Sequence, residues 1–323
     1  MRAPPATPGA RRMLGRARDW LIGGVILAGL VVAVAQTVGW SQLLAPWREL
    51  APALLLAALA LSLLSYLLRA VRVYDLFRHR LGGRFPAVLR LSILHNVANN
   101  LLPMRAGEMV FPWLMQRYFG LGFGGSLAAL VWIRLLDLHF LALAGLLVLQ
   151  LREPSLLWPL GALLWVGLMP LIPWLARRVP RSGWGVVGRL LRGLADAAPP
   201  SARLTSRLYL WTALSWSLKL TAFAVVLRHF LPLELWRLLV GVLGAELSSV
   251  LPFHGIAGSG SYELAAVAAL LPFGVGAEAA LAGAVNLHLF LLGVTLLLGL
   301  VALALPVGST TRRAGKQSPA GSD

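Results

Sequence analysis

Six apolar runs decide most of what this chain can become. They lie at roughly 20–38, 50–68, 124–150, 155–176, 208–230 and 278–305. Each is about long enough to cross a hydrocarbon core of ~30 Å as a helix. The chain is 58% hydrophobic and 13% charged, about half the charged share of a soluble domain. The expected fold is an all-α integral membrane protein.

Charge placement sets the expected topology. The net charge of +17 is no nucleic-acid signal, because the basic residues sit in short blocks beside apolar spans. That pattern marks topology signals and contacts with anionic lipid. Residues 1–19 hold five arginines, 69–85 five and 177–207 seven, and the tail adds Arg312, Arg313 and Lys316. The opposite loops hold only Arg48, Arg152, Arg228 and Arg237. Twenty against four puts both termini in the cytoplasm. The run from Trp20 to Val38 reads as a retained anchor, not a cleaved signal. Three segments follow: a basic N-terminus at 1–19, a single transmembrane domain at 20–305 and a tail at 306–323. Within the domain, 177–207 reads as a basic cytoplasmic linker. Its Arg189, Arg192, Arg203 and Arg207 either lie on anionic headgroups or belong to a solvated loop. Trp20, Trp40, Trp47, Trp158, Trp174 and Trp236 read as interfacial anchors.

Two further apolar regions, 86–120 and 235–272, are interrupted by Pro and Gly. With the N-terminus inside, the first must start and end inside, and the second must start and end outside. Each is either a re-entrant hairpin or a pair of short helices, and hairpins from opposite faces are favoured. "NNLLP" (Asn99 to Pro103) corresponds to "SSVLP" (Ser248 to Pro252), and a Gly and a Glu follow each. Two such elements of opposed entry indicate an inverted repeat, the architecture that builds midplane substrate sites in transporters.

Polar groups at membrane depth mark candidate sites. Pro103 frees an upstream carbonyl, and Gly107 allows the turn. Asn96, Asn99 and Asn100 can bond freed backbone groups or a polar ligand. Arg105 stands beside a helix N-terminus, and together they make an anion site fit for a phosphate; alternatively Arg105 only pairs with Glu108. Arg134 and Asp137 share a helix face at spacing i, i+3, either as a mutual ion pair or on a cavity wall. Lys219 lies mid-span, with Glu246 or Glu263 as its partner or with a substrate role. Pro252, Gly258 and Gly260 read as turn residues of the second break. His139, His229, His254 and His288 lack metal-ligand spacing. No metal or cofactor site is expected. With no cysteine and no persuasive catalytic constellation, no catalytic residue is assigned.

"NNLLPMRAGE", "WIRLLD" and "SSVLP…GSGSYE" resemble the flippase-like transmembrane family of lysylphosphatidylglycerol synthases, over about residues 20–305. The family pattern matches at Asn99, Asn100, Pro103, Arg105, Gly107, Glu108, Arg134, Asp137, Gly258, Gly260 and Glu263. The segment "HGIAGSG" is looser than the family's glycine motif. The expected member is one without the aminoacyltransferase domain. The resemblance implies translocation or binding of an anionic lipid in a bacterial inner membrane, without lysyl transfer. The headgroup phosphate would sit between the hairpins, held by helix N-termini, Arg105 and Arg134, while Glu108 and Glu263 exchange protons or ion pairs. Membrane lipids are the expected partner. The competing readings are a membrane-embedded lipid-modifying transferase and a hopanoid-pathway accessory or scaffold protein.

Overall fold

A computed structural model describes residues 8–169, 171, 174, 178, 185–248 and 255–306. They form α1 (Pro8–Thr37), α2 (Trp40–Leu44), α3 (Pro52–Phe77), α4 (Phe85–Leu101), α5 (Val110–Phe119) and α6 (Phe123–Arg152). Then come α7 (Leu157–Gly167), α8 (Gly185–Asp196), α9 (Ala202–Phe230), α10 (Leu235–Ser248), α11 (Ser261–Leu270) and α12 (Ala277–Ala304). Short 3₁₀ turns fill some gaps, and no strand occurs among the described residues.

Local chemistry sets the helix ends. Proline opens the first turn of α3 and of α4, where its missing N–H is not needed. The Ser201 hydroxyl accepts from Leu204 N–H and caps α9. Gly120 ends α5 in the left-handed conformation. Around Gly39 the apolar part of α1 turns through 94° into the Trp40–Arg48 segment.

Five stretches are long and apolar enough to cross a membrane, or six if the bent α1 pair is one span. The chain is therefore a multi-pass membrane protein. α3, α6, α9 and α12 occupy four of the expected spans, and α1 occupies a fifth. The second half of the second interrupted region, Ile256–Phe273, is itself 18 residues long. Of the expected span at 155–176, α7 covers Leu157–Gly167, and residues 171 and 174 are also helical. Much of the remainder of that run lies outside the described residues.

One order of elements occurs twice: a long helix, a broken hairpin and a second long helix. α3, α4–α5 and α6 form the first set; α9, α10–α11 and α12 form the second. Both hairpins fold back on themselves. In the first, Arg84 donates to the Tyr118 carbonyl, and His95 meets the Gly107 carbonyl. In the second, Gly241 lies against Leu270 and Gly244 against Ala265 and Ala269. Each hairpin packs on the long helix that follows it. The first helix of each also packs on the closing helix of the other set, α4 on α12 and α10 on α6. The two breaks touch each other, and both rest on α1, where Gly23 accepts Pro103 and Ile256.

α3 and α9 form the most extensive helix pair. Ser65 on α3 and Ser215 on α9 are both buried, and Ser65 donates to the Ser215 carbonyl at 2.7 Å. Small residues let backbones approach, and in lipid this packing replaces the hydrophobic drive between helices. At one end of the pair, Arg207 bonds Asp75 through two nitrogens. Arg207 thus belongs to α9 and to a tertiary clamp with Asp75, not to a solvated loop. The expected linker is also partly helical. α8 packs on α6, and Trp132 donates its indole N–H to the Leu194 carbonyl at 2.7 Å.

Candidate functional site

A cavity of about 390 Å³ opens where α3, α4, α6, α9 and α10 meet beside the first break. Its two sides differ in character. Tyr66, Arg69, Asn96, Asn99, Asn100, Glu108, Arg134, Asp137, Trp216, Lys219 and Glu246 form a polar lining. Leu127, Leu130, Val131, Leu135, Leu138 and Leu141 of α6 form an apolar one. Val131, Leu135 and Leu138 are also exposed, so the apolar wall of the cavity is not sealed.

Eight of the side chains singled out from the sequence converge here, and ion pairs organise most of them. Arg134 binds Glu108 through Nε at 3.1 Å and Nη2 at 2.8 Å, and Asp137 through Nη1 at 3.3 Å. The i, i+3 pair is therefore present, but Asp137 has a closer partner. Arg72 Nη1 lies 2.6 Å from it, and Trp216 donates to the same oxygen at 2.9 Å. Lys219 pairs with Glu246 at 2.6 Å and not with Glu263. Glu108 belongs to the turn just before α5, where its charge suits the positive end of that helix.

The asparagines stitch the break to its surroundings. Asn99 donates to Glu108 at 3.0 Å. Asn100 reaches Thr295 at 2.9 Å and the Tyr66 hydroxyl at 3.3 Å. Asn96 donates to the Ser92 carbonyl in its own helix. None of these four bonds takes a carbonyl freed by Pro103. Gly107 is pressed so close to α4 that an added Cβ would lie 2.3 Å from the Asn99 nitrogen. The Arg105 side chain, Pro252 and His254 lie outside the described residues.

Arg69 lines the cavity without standing out in the sequence. It was counted with the cytoplasmic block at 69–85, yet α3 continues to Phe77 and carries both Arg69 and Arg72 inward. The Arg69 side chain is buried, with only 7% of the residue exposed. Its guanidinium lies 4.9 Å from the Trp216 ring centre and 5.7 Å from that of Tyr66. Nε and Nη2 are buried without a hydrogen-bond partner. No carboxylate among the described residues lies within ion-pair distance of it. Two aromatic faces offset part of the cost of such a cation, by about 2 kcal/mol when desolvated. They leave its N–H groups free to take an anion. The spacing of Tyr66, Arg69 and Arg72 on one helix face was the available signal.

Glu263 sits apart from the cavity, at the second break. Gly258 and Gly260 have φ of +78° and +84° there, a left-handed region that glycine enters without steric cost. Glu263 caps α11 by accepting from Gly260 N–H at 2.8 Å. Its other oxygen lies 2.6 Å from His288 Nδ1.

The family model for the lysylphosphatidylglycerol synthase TM region matches residues 20–299. No curated protein matches the chain.

Proposed function

Because the chain belongs to the lysylphosphatidylglycerol synthase TM-region family, we propose that it holds and translocates a lipid with an anionic headgroup. Family membership points to a lipid-related role in the membrane. Arg69 supports the finer reading. A buried, aromatic-backed guanidinium with two unpartnered N–H-bearing nitrogens matches phosphate, which takes parallel N–H bonds from arginine. Asn99 Oδ1 and Glu246 Oε1, on the same lining, are buried without partners and would accept from headgroup hydroxyl or amino groups. The leucines of α6 would guide the tails, because the cavity takes a headgroup and the bilayer keeps the chains.

Arg134 is less suited to the phosphate, since its Nε, Nη1 and Nη2 already meet Glu108 and Asp137. It orders the wall. Charge asymmetry favours a bacterial inner membrane with both termini in the cytoplasm.

The test is a vesicle assay with headgroup-labelled lipids of several classes, comparing wild type with Arg69→Met. Wild type should bind and move one anionic class. The variant should fold as well as wild type and bind that lipid about tenfold to a hundredfold more weakly, the worth of a charged hydrogen bond. Wild-type movement by a folded Arg69→Met protein would refute the site. Binding without movement would reduce the function to lipid capture.

A further inference from the structure

We propose that Glu263 and His288 form a proton-binding site that couples lipid movement to proton movement. The coupling rests on the lipid reading above for its cargo; the proton site rests on the second break alone.

Both ring nitrogens of His288 face oxygen. Nε2 lies 2.9 Å from the Ala257 carbonyl, and Nδ1 lies 2.6 Å from Glu263 Oε1. A carbonyl only accepts, so Nε2 carries a hydrogen. A neutral ring would then turn the Nδ1 lone pair toward an ionised carboxylate, two acceptors in repulsive contact. The geometry requires a proton between them, as imidazolium against carboxylate or as a neutral ring against a carboxylic acid. Glu263 Oε2 is already occupied by Gly260 N–H.

Loaded with that proton the pair is neutral. Without it, a net negative charge would stand at two residues that are 1% and 3% exposed, which is costly without a compensating partner. No lysine or arginine among the described residues lies within ion-pair distance of Glu263. The neighbouring groups are otherwise engaged. On α10, Glu246 is held by Lys219 of α9. On α4, His95 meets the Gly107 carbonyl and Arg90 the Leu305 carbonyl. Tyr262 on α11 has its ring 4.5 Å from that of His288 and lends no charge.

Loss of the proton therefore has to break a contact. Ala257 is the weak point, because its φ of +56° is a left-handed conformation that crowds the Cβ of a non-glycine residue against the backbone. His288 holds its carbonyl in place. Released, the turn would relax where it abuts the first break and Gly23 of α1. Proton occupancy would thus set the seam between the two hairpins, and the first hairpin carries Glu108 into the cavity.

Two measurements separate the proton from the lipid. The first is hydrogen–deuterium exchange of residues 255–264 in purified full-length protein across pH, corrected for intrinsic amide rates. Wild-type protection should be high at acid pH and fall as the pH rises, by up to about tenfold per pH unit. In Glu263→Gln the carboxamide donates to a neutral Nδ1 and still accepts from Gly260, so protection should persist at every pH. Wild-type protection that ignores pH overturns the proton site, whether or not lipid moves. The second measurement uses vesicles of zwitterionic lipid with a trace of headgroup-labelled anionic phospholipid, with and without a pH difference. The initial rate should change several-fold with the difference in wild type and lose that response in Glu263→Gln. Lipid movement indifferent to the pH difference overturns the coupling and leaves the lipid reading intact. Absence of any lipid movement overturns the translocation reading and the coupling together, while exchange still judges the proton site.

Discussion

Lys219 donates to Glu246 at 2.6 Å across the α9–α10 contact, and both residues are buried. Glu246 Oε1 has no partner, so this pair is not fully satisfied.

Breaking such a pair from one side costs more than removing it whole. Lys219→Met or Glu246→Leu alone should destabilise by about 3–5 kcal/mol, because each strands a buried charge. The double variant should recover most of that loss. Thermal unfolding in detergent reads all three. A double variant as unstable as the worse single one would mean that the pair has a further partner.

Asp137 gathers Arg72, Arg134 and the Trp216 indole, and so ties α3, α6 and α9 to one carboxylate. Asp137→Ala should cost about 3–5 kcal/mol. Asp137→Asn keeps one acceptor and should cost less. The order of their melting temperatures decides; equal loss in both would show that charge, not hydrogen bonding, holds the node.

Gly107 has no room for a methyl group, and the atoms in the way are backbone. Gly107→Ala should force α4 away from the turn that carries Glu108 and weaken headgroup binding at least as much as stability. Gly145→Ala, in open space on α6, is the control and should melt near wild type. A well-folded Gly107→Ala protein with normal lipid binding would show that the close approach does not shape the cavity.

The polar lining was legible because charge inside an apolar run is expensive and stands out. Glu108, Arg134, Asp137, Lys219 and Glu246 were each visible on that ground, and the cavity joins them. Arg69 and Arg72 were hidden at the end of a run, where arginine is expected for topology. Only the continuation of α3 to Phe77 shows that they turn inward. His288 was hidden for another reason. Its partner lies 25 residues away, and no local pattern joins a lone histidine to a distant helix cap.

The charges of the described side chains around the cavity do not cancel. Among the described side chains, Arg69, Arg72, Arg134 and Lys219 stand against Glu108, Asp137 and Glu246. A monoanionic headgroup on Arg69 would bring that group to neutrality. On this proposal the transmembrane voltage acts on the empty protein and leaves the loaded one almost untouched. The force is about 2.3 kcal/mol per charge per 100 mV. Voltage would then drive the return stroke, not the carrying one. A voltage step on membranes lacking the carried lipid should displace charge, and adding that lipid should silence the signal; a signal that grows with lipid would reverse the assignment.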